Sequence, residues 1–153
     1  MSLRIFIDAD ACPVKEETLK VAARYGVKTL IVSNGGMRPS RDPLVQVVTV
    51  PHGADAADDW IVEDAMAGDV VITADIPLAA RILDKQAHAL GPTGKAFTAD
   101  TIGMALAMRD LKQQIRESTQ TQTRNRSFEN RDRSNFLQAL DKIVAQGLRP
   151  NKL

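Results

Sequence analysis

Residues 4–20 read RIFIDADACPVKEETLK. An apolar run, Ile5-Phe6-Ile7, ends abruptly in Asp8 and Asp10, and Cys12 and Pro13 follow. Pro13 suits the first turn of a helix, where its missing N–H costs nothing. The helical pattern continues through Leu19, Val21, Ala22 and Ala23 and stops at Gly26, a favoured residue just past a helix end. The stretch is thus a strand, two acids and a helix in immediate succession. A strand that must be buried has no obvious use for two carboxylates at its end, and the rest of the chain explains them.

Apolar runs alternate with helical patterns beyond Gly26. VKTLIVS reads as a second strand, and NGGMRPSRDP as a loop by its Gly, Pro and Asn content. LVQVVTV, from Leu44, is a third strand closed by Pro51. ADAADDWIVEDAMA is helical, with Ala57, Trp60, Ile61 and Ala65 toward the core. DVVIT is a fourth strand, followed by a helix from near Pro77 on which His88 stands at the C-terminal end. KAFT is a short fifth strand, and a helix runs from about Ala99 to Ile115. Short, continuously apolar strands are those covered on both faces. Their alternation with helices predicts βαβ units. The expectation for residues 1–117 is therefore an α/β domain: a central, mostly parallel sheet of about five strands flanked by helices.

The last third differs. ESTQTQTRNRSFENR has almost no large apolar residues, and residues 118–131 read as a flexible linker. Residues 132–153 hold one amphipathic helix and a tail, with Phe136, Leu137, Leu140, Ile143 and Val144 at helical spacing and Gly147 closing it. One such helix is marginal alone in water. It must dock on its own sheet or on a second copy, the latter making a homodimer through the C-terminal helix.

Composition narrows the function classes. The 153 residues are 44% hydrophobic, enough for a single core. The net charge is +1, so recognition of a charged partner must come from local patches. Cys12 is the single cysteine, which excludes an internal disulfide and a zinc site built on several thiolates. No stretch approaches the roughly 20 apolar residues of a membrane helix, and the N-terminus goes directly into a strand. The expectation is a cytoplasmic protein with no membrane contact.

In an open α/β sheet, ligands collect at the carboxyl ends of the strands. Asp8 and Asp10 end the first strand, and Asp75 ends the fourth. Asp55, Asp58 and Asp59 occupy the first turns of the helix after the third strand, where Asp55 aligns with either of the other two. Crowded carboxylates disfavour one another's ionisation, and a cation removes that penalty. Oxygen-only ligands suit magnesium or manganese, and such ions activate water for attack on a phosphodiester. Asp8, Asp10, Asp55, Asp59 and Asp75 are the candidate catalytic acids, and Asp8, Asp10, Asp58 and Asp75 the candidate metal ligands. The same positions also suit plain helix capping. Asp69 precedes the fourth strand, at the opposite end of the sheet, and is left out.

IDADACPVKEE, GADAADDWIVEDA with GDVVITADIPLAARIL, and RDRSNFLQALDKI resemble the signature segments of the YaiI/YqxD family of uncharacterised bacterial proteins. Order and spacing match across nearly the whole chain. That family is grouped with PIN-like domains, whose members are often magnesium- or manganese-dependent ribonucleases. The resemblance implies a three-layer PIN-like fold and an acidic site drawn from Asp8, the Asp55–Asp59 cluster and Asp75. It makes RNA a more natural partner than DNA.

Flanking residues supply candidate substrate contacts: Lys15 in the first turn of the first helix, and Asn34 and Arg38 in the loop after the second strand. Arg124, Arg126, Arg131 and Arg133 form a further basic segment. Cys12 reads as a small packing residue. Aromatics make up 4% of the chain, which argues against base stacking as the main recognition device. Two other functions compete. One is a haloacid-dehalogenase-type phosphatase with Asp8 as nucleophile, although Cys12 departs from that motif. The other is a non-catalytic module that binds nucleic acid or regulates a partner.

Overall fold

The computed structural model describes residues 3–9, 13–35, 39–51, 55–104, 107–108 and 129–148. β1 (Arg4–Asp8), α1 (Lys15–Tyr25) and β2 (Lys28–Ser33) make the first βαβ unit. β3 (Val45–Thr49), α2 (Ala56–Asp64), β4 (Val70–Ile72), α3 (Ile76–Asp84) and β5 (His88–Leu90) follow, then β6 (Ala96–Phe97) and a C-terminal helix, α4 (Asn130–Gly147). The chain is also helical from 99 to 104 and at 107–108. The strands form one sheet in the order β3-β2-β1-β4-β5-β6, parallel except for the β5–β6 pair.

Strand order decides which face each helix covers. The chain steps from β1 outward to β2 in one direction, and from β3 past β1 to β4 and β5 in the other. Parallel crossovers share one hand, so reversing direction puts the helices on opposite faces. The core accordingly splits in two. Ile5, Ile7, Ile31, Val70, Ile72 and Leu90 pack with α1 and α4, while Phe6, Leu30, Val32 and Val71 pack with α2 and α3. This is the period-two alternation of a strand buried on both sides. β3 departs from it: at the sheet edge it is only half-buried.

α1 spans only β1 and β2, which would leave β4 and β5 bare on that face. α4 covers them, with Phe136, Leu140 and Val144 fully buried. It runs parallel to α1. At one end Arg133 Nη1 lies 2.9 Å from Glu17 Oε1 and donates to the Pro13 carbonyl at 3.2 Å. At the other, Arg24 Nη1 and the Tyr25 hydroxyl both donate to Asp141 Oδ1. Gly94, at φ +93 in the β5–β6 turn, permits a close approach. A Cβ there would stand 2.7 Å from the Asn135 backbone.

The α/β architecture, the mostly parallel sheet and the C-terminal helix agree with the sequence reading, with two differences of detail. The sheet has six strands, because His88 opens β5 where the sequence suggested a helix end. α3 already stops at Asp84, and Gln86 turns the chain with a left-handed φ of 64°. Such a turn needs no glycine or proline, so nothing in the sequence marks it. α4 begins at Asn130, inside the stretch read as linker, and Glu129 N–H donates to Asp132 Oδ2 at 3.0 Å to start it. Residues 118–128, and the expected helix beyond 108, lie outside the described residues. Among the described residues no helix is long and apolar enough to cross a membrane.

Candidate functional site

The sheet's direction reverses at β1. Its carboxyl end, beside that of β4, is the topological switch point where open α/β sheets bind ligands. Ile7 pairs with Ile72, so one step further Asp8 and Thr73 stand side by side. Alternation turns both toward the α2–α3 face, the side on which Phe6 and Val71 lie. Asp8 is buried, and Thr73 Oγ1 donates to its Oδ2 at 3.0 Å. The same hydroxyl accepts from the Asp75 backbone N–H at 3.0 Å. Thr73 therefore ties the first acidic strand end to the second. It carries no charge to mark it in the sequence, although it lies in the quoted ITAD segment.

Asp75 is the N-cap of α3: its Oδ1 accepts from the Leu78 N–H at 3.1 Å. The capping role and a place at the switch point coincide in one residue. α2 supplies the third acid. Ala57 and Ile61 anchor its buried face, which leaves Asp58 half-buried at the margin of the core. Burial pushes the Asp58 carboxyl up to about 6, helped by the charges of Asp75, Asp8 and Asp55; Arg81 opposes them. Asp8, Asp58 and Asp75 thus form one electrostatic group drawn from β1, α2 and α3.

The other candidates fall differently. Asp55 is exposed and makes no capping hydrogen bond, yet its charge reaches Asp58. Asp59 is exposed and paired: its Oδ1 lies 2.9 Å from Arg81 Nη1. Lys15 is exposed at the start of α1. Asn34 is partly buried, and its Oδ1 is buried without a hydrogen-bond partner. Arg133 is engaged with α1, and Arg131 lies 3.6 Å from Glu129. Asp10, Cys12, Arg38, Arg124 and Arg126 lie outside the described residues. Asp69 does stand at the opposite edge, buried and paired with Arg4 at 3.0 Å.

The donor chemistry of this group fits a hard divalent cation. Its members are carboxylates, and burial, with the charges of its neighbours, already suppresses ionisation of Asp58. Among the described residues, however, no three His, Cys, Asp or Glu side chains are arranged as a ready coordination shell.

Fold and site together define a parallel α/β domain with an acidic group at its topological switch point. The profile of the uncharacterized YaiI/YqxD family matches residues 6–146, and the chain belongs to that family. A UPF0178 protein of Mesorhizobium japonicum is 61% identical over 145 residues, covering 95% of this chain and 94% of the relative. UPF0178 proteins of Parvibaculum lavamentivorans and Agrobacterium fabrum are 57% and 55% identical, each over 92% of this chain and 92% of their own. No solved structure matches the chain.

Proposed function

We propose that the protein is a magnesium- or manganese-dependent phosphodiesterase that cleaves nucleic acid, RNA in preference to DNA. The observation that carries this reading is the Thr73 hydroxyl, which ties the buried Asp8 carboxylate to Asp75 at the switch point, with the half-buried Asp58 close enough to feel both charges. Gathered carboxylates repel one another, and a cation turns that repulsion into attraction. Asp8, Asp58 and Asp75 would hold the ion. When bound it supplies charge neutralisation at a phosphodiester and an acidified water.

The chain's own groups prepare the site. Thr73 orients the Asp8 carboxylate, and the α3 N-terminus fixes one oxygen of Asp75. Lys15, at the start of α1, and Asn34, just after β2, are the candidate contacts for the substrate backbone, and the sequence adds Arg38. The resemblance to PIN-like domains supports RNA as substrate, and the lone cysteine fits a cytoplasmic setting.

The test is cleavage of RNA and DNA oligomers by purified protein in magnesium and in manganese. Asp8→Asn and Asp75→Asn should each abolish cleavage while the circular dichroism spectrum is kept. Wild-type protein inert on every substrate in both metals would reject the reading. Metal-independent binding that survives Asp8→Asn would point to the non-catalytic module instead.

A further inference from the structure

Among the described residues three buried side-chain oxygens have no hydrogen-bond partner: Glu17 Oε2, Thr29 Oγ1 and Asn34 Oδ1. An unpaired buried acceptor carries a desolvation cost that nothing offsets, so each calls for a reason. Glu17 is already engaged through its other oxygen, which pairs with Arg133. Thr29 is enclosed in the amino half of β2, opposite the fully buried Ile5. Asn34 differs from both. It follows the carboxyl end of β2, on the edge of the sheet where Asp8 ends β1.

Its neighbours hold it there. Ser33 is buried, and its carbonyl accepts from the Val50 N–H at 2.9 Å. The Ser33 hydroxyl accepts from the Gly35 N–H at 3.1 Å and donates to the Gly35 carbonyl at 3.0 Å. Gly35, at φ +128, turns the chain away. Asn34 thus sits on a turn that is pinned on both sides. Asp8 stands opposite Val32, so Asn34 lies two residues further out on the path of the neighbouring strand. With about 4.8 Å between strands and about 3.3 Å per residue, the Asp8 and Asn34 Cα atoms lie on the order of 8 Å apart. A sugar next to a phosphodiester held at Asp8 comes within reach of the carboxamide.

The partner that Oδ1 lacks is a donor. An ionised phosphate offers only acceptors, whereas a hydroxyl offers a donor. Asn34 is only partly buried, and the torsion that turns a carboxamide is soft, so the oxygen can swing out to meet one. The hydroxyl that separates RNA from DNA is the ribose 2′-OH, donor and acceptor at once.

We propose that Asn34 is the residue by which the site tells RNA from DNA, its Oδ1 accepting a hydrogen bond from a ribose 2′-hydroxyl beside the phosphodiester. Ribose satisfies an acceptor that is otherwise unpaired, and deoxyribose does not. No covalent bond changes and no proton is transferred. The inference rests on the phosphodiester reading above and deepens it, by naming the group that sets the substrate class.

The test is binding of fluorescent oligomers of one sequence, as RNA, DNA and 2′-fluoro RNA, to wild-type protein, Asn34→Leu and Asn34→Ala in calcium buffer. Cleavage in manganese and urea unfolding are measured alongside. Wild type should bind RNA about tenfold more tightly than DNA or 2′-fluoro RNA. Both variants should bind all three alike, through lost affinity for RNA alone. Asn34→Leu should keep or raise the urea midpoint, because it removes an unpaired acceptor and no hydrogen bond. The proposal is overturned by a wild type without RNA preference, or by a preference that both variants retain. A 2′-fluoro RNA bound as tightly as RNA would overturn it too, as would a clearly lower urea midpoint for Asn34→Leu. Asn34-dependent RNA preference without any cleavage by wild type would reject the phosphodiesterase reading and leave Asn34 as the RNA reader. Cleavage of RNA with a preference independent of Asn34 would do the reverse. Absence of binding to every oligomer would overturn the role given to Asn34.

Discussion

At the residue scale, Thr73 and Asp58 carry most of the site's organisation. Thr73 uses one hydroxyl for two acids, donating to Asp8 and accepting from the Asp75 backbone. Thr73→Val keeps the shape and removes both bonds. It should cost about 1–3 kcal/mol in urea unfolding, because buried polar groups lose their partner; Thr73→Ser should recover most of it. Asp58 shows the opposite behaviour. Its carboxyl rests near 6 in the folded chain against an ordinary value of 3.8. The folded state therefore binds the proton more tightly than the unfolded one. The stability this contributes is complete below about 4 and is lost as pH rises to about 6. In metal-free buffer Asp58→Asn should flatten that slope. At neutral pH it should raise stability by on the order of 1 kcal/mol, solvent screening keeping the gain small. Urea midpoints from pH 4 to pH 7 would check both, and an Asn variant that tracks the wild type would contradict the assignment.

At the scale of elements, α2 and α4 show how much the sequence disclosed. The apolar positions of α2 were readable, and Ala57, Ile61 and Ala65 are buried as their spacing predicts. Which of its acids joins the site was not. Asp58 and Asp59 are adjacent on a helix, so a rotation of about 100° between neighbours sends one toward Asp75 and the other to Arg81. That rotation is set by the packing of α2 on Phe6 and Val71, which are remote in sequence. α4 was legible as an amphipathic helix, yet its seat was not. The face of β4 and β5 that it covers is open to it because α2 and α3 lie on the opposite side of the sheet. Leu140 is completely buried there. Leu140→Ala should cost about 2–5 kcal/mol, read as a lower urea midpoint for the whole domain in a single transition. A separate early transition confined to the helix would show instead that α4 is an appendage.

At the scale of the molecule, the acidic group is a product of topology. Asp8, Asp58 and Asp75 come from separate elements, and the reversal of strand order at β1 brings their ends to one place. A cation that bridges them would bind the folded chain and not the unfolded one, so it must raise stability by mass action. Manganese at about a hundred times its dissociation constant should add about 2.7 kcal/mol, seen as a higher melting temperature. Asp8→Asn and Asp75→Asn should lose that increment. An equal increment in the variants would place the ion elsewhere.

The sequence by itself determined the alternation of strands and helices, the parallel sheet, and the presence of acids at strand ends, since each depends on neighbours in the chain. DADACPVK already showed a strand end, two acids and a helix start. Only the tertiary structure decided that Thr73 joins Asp8 to Asp75, that Asp58 faces them while Asp59 takes Arg81, and that α4 closes the α1 face. Those choices depend on strand register and helix rotation, which are set by side chains distant in sequence packing against one another on the two faces of the sheet.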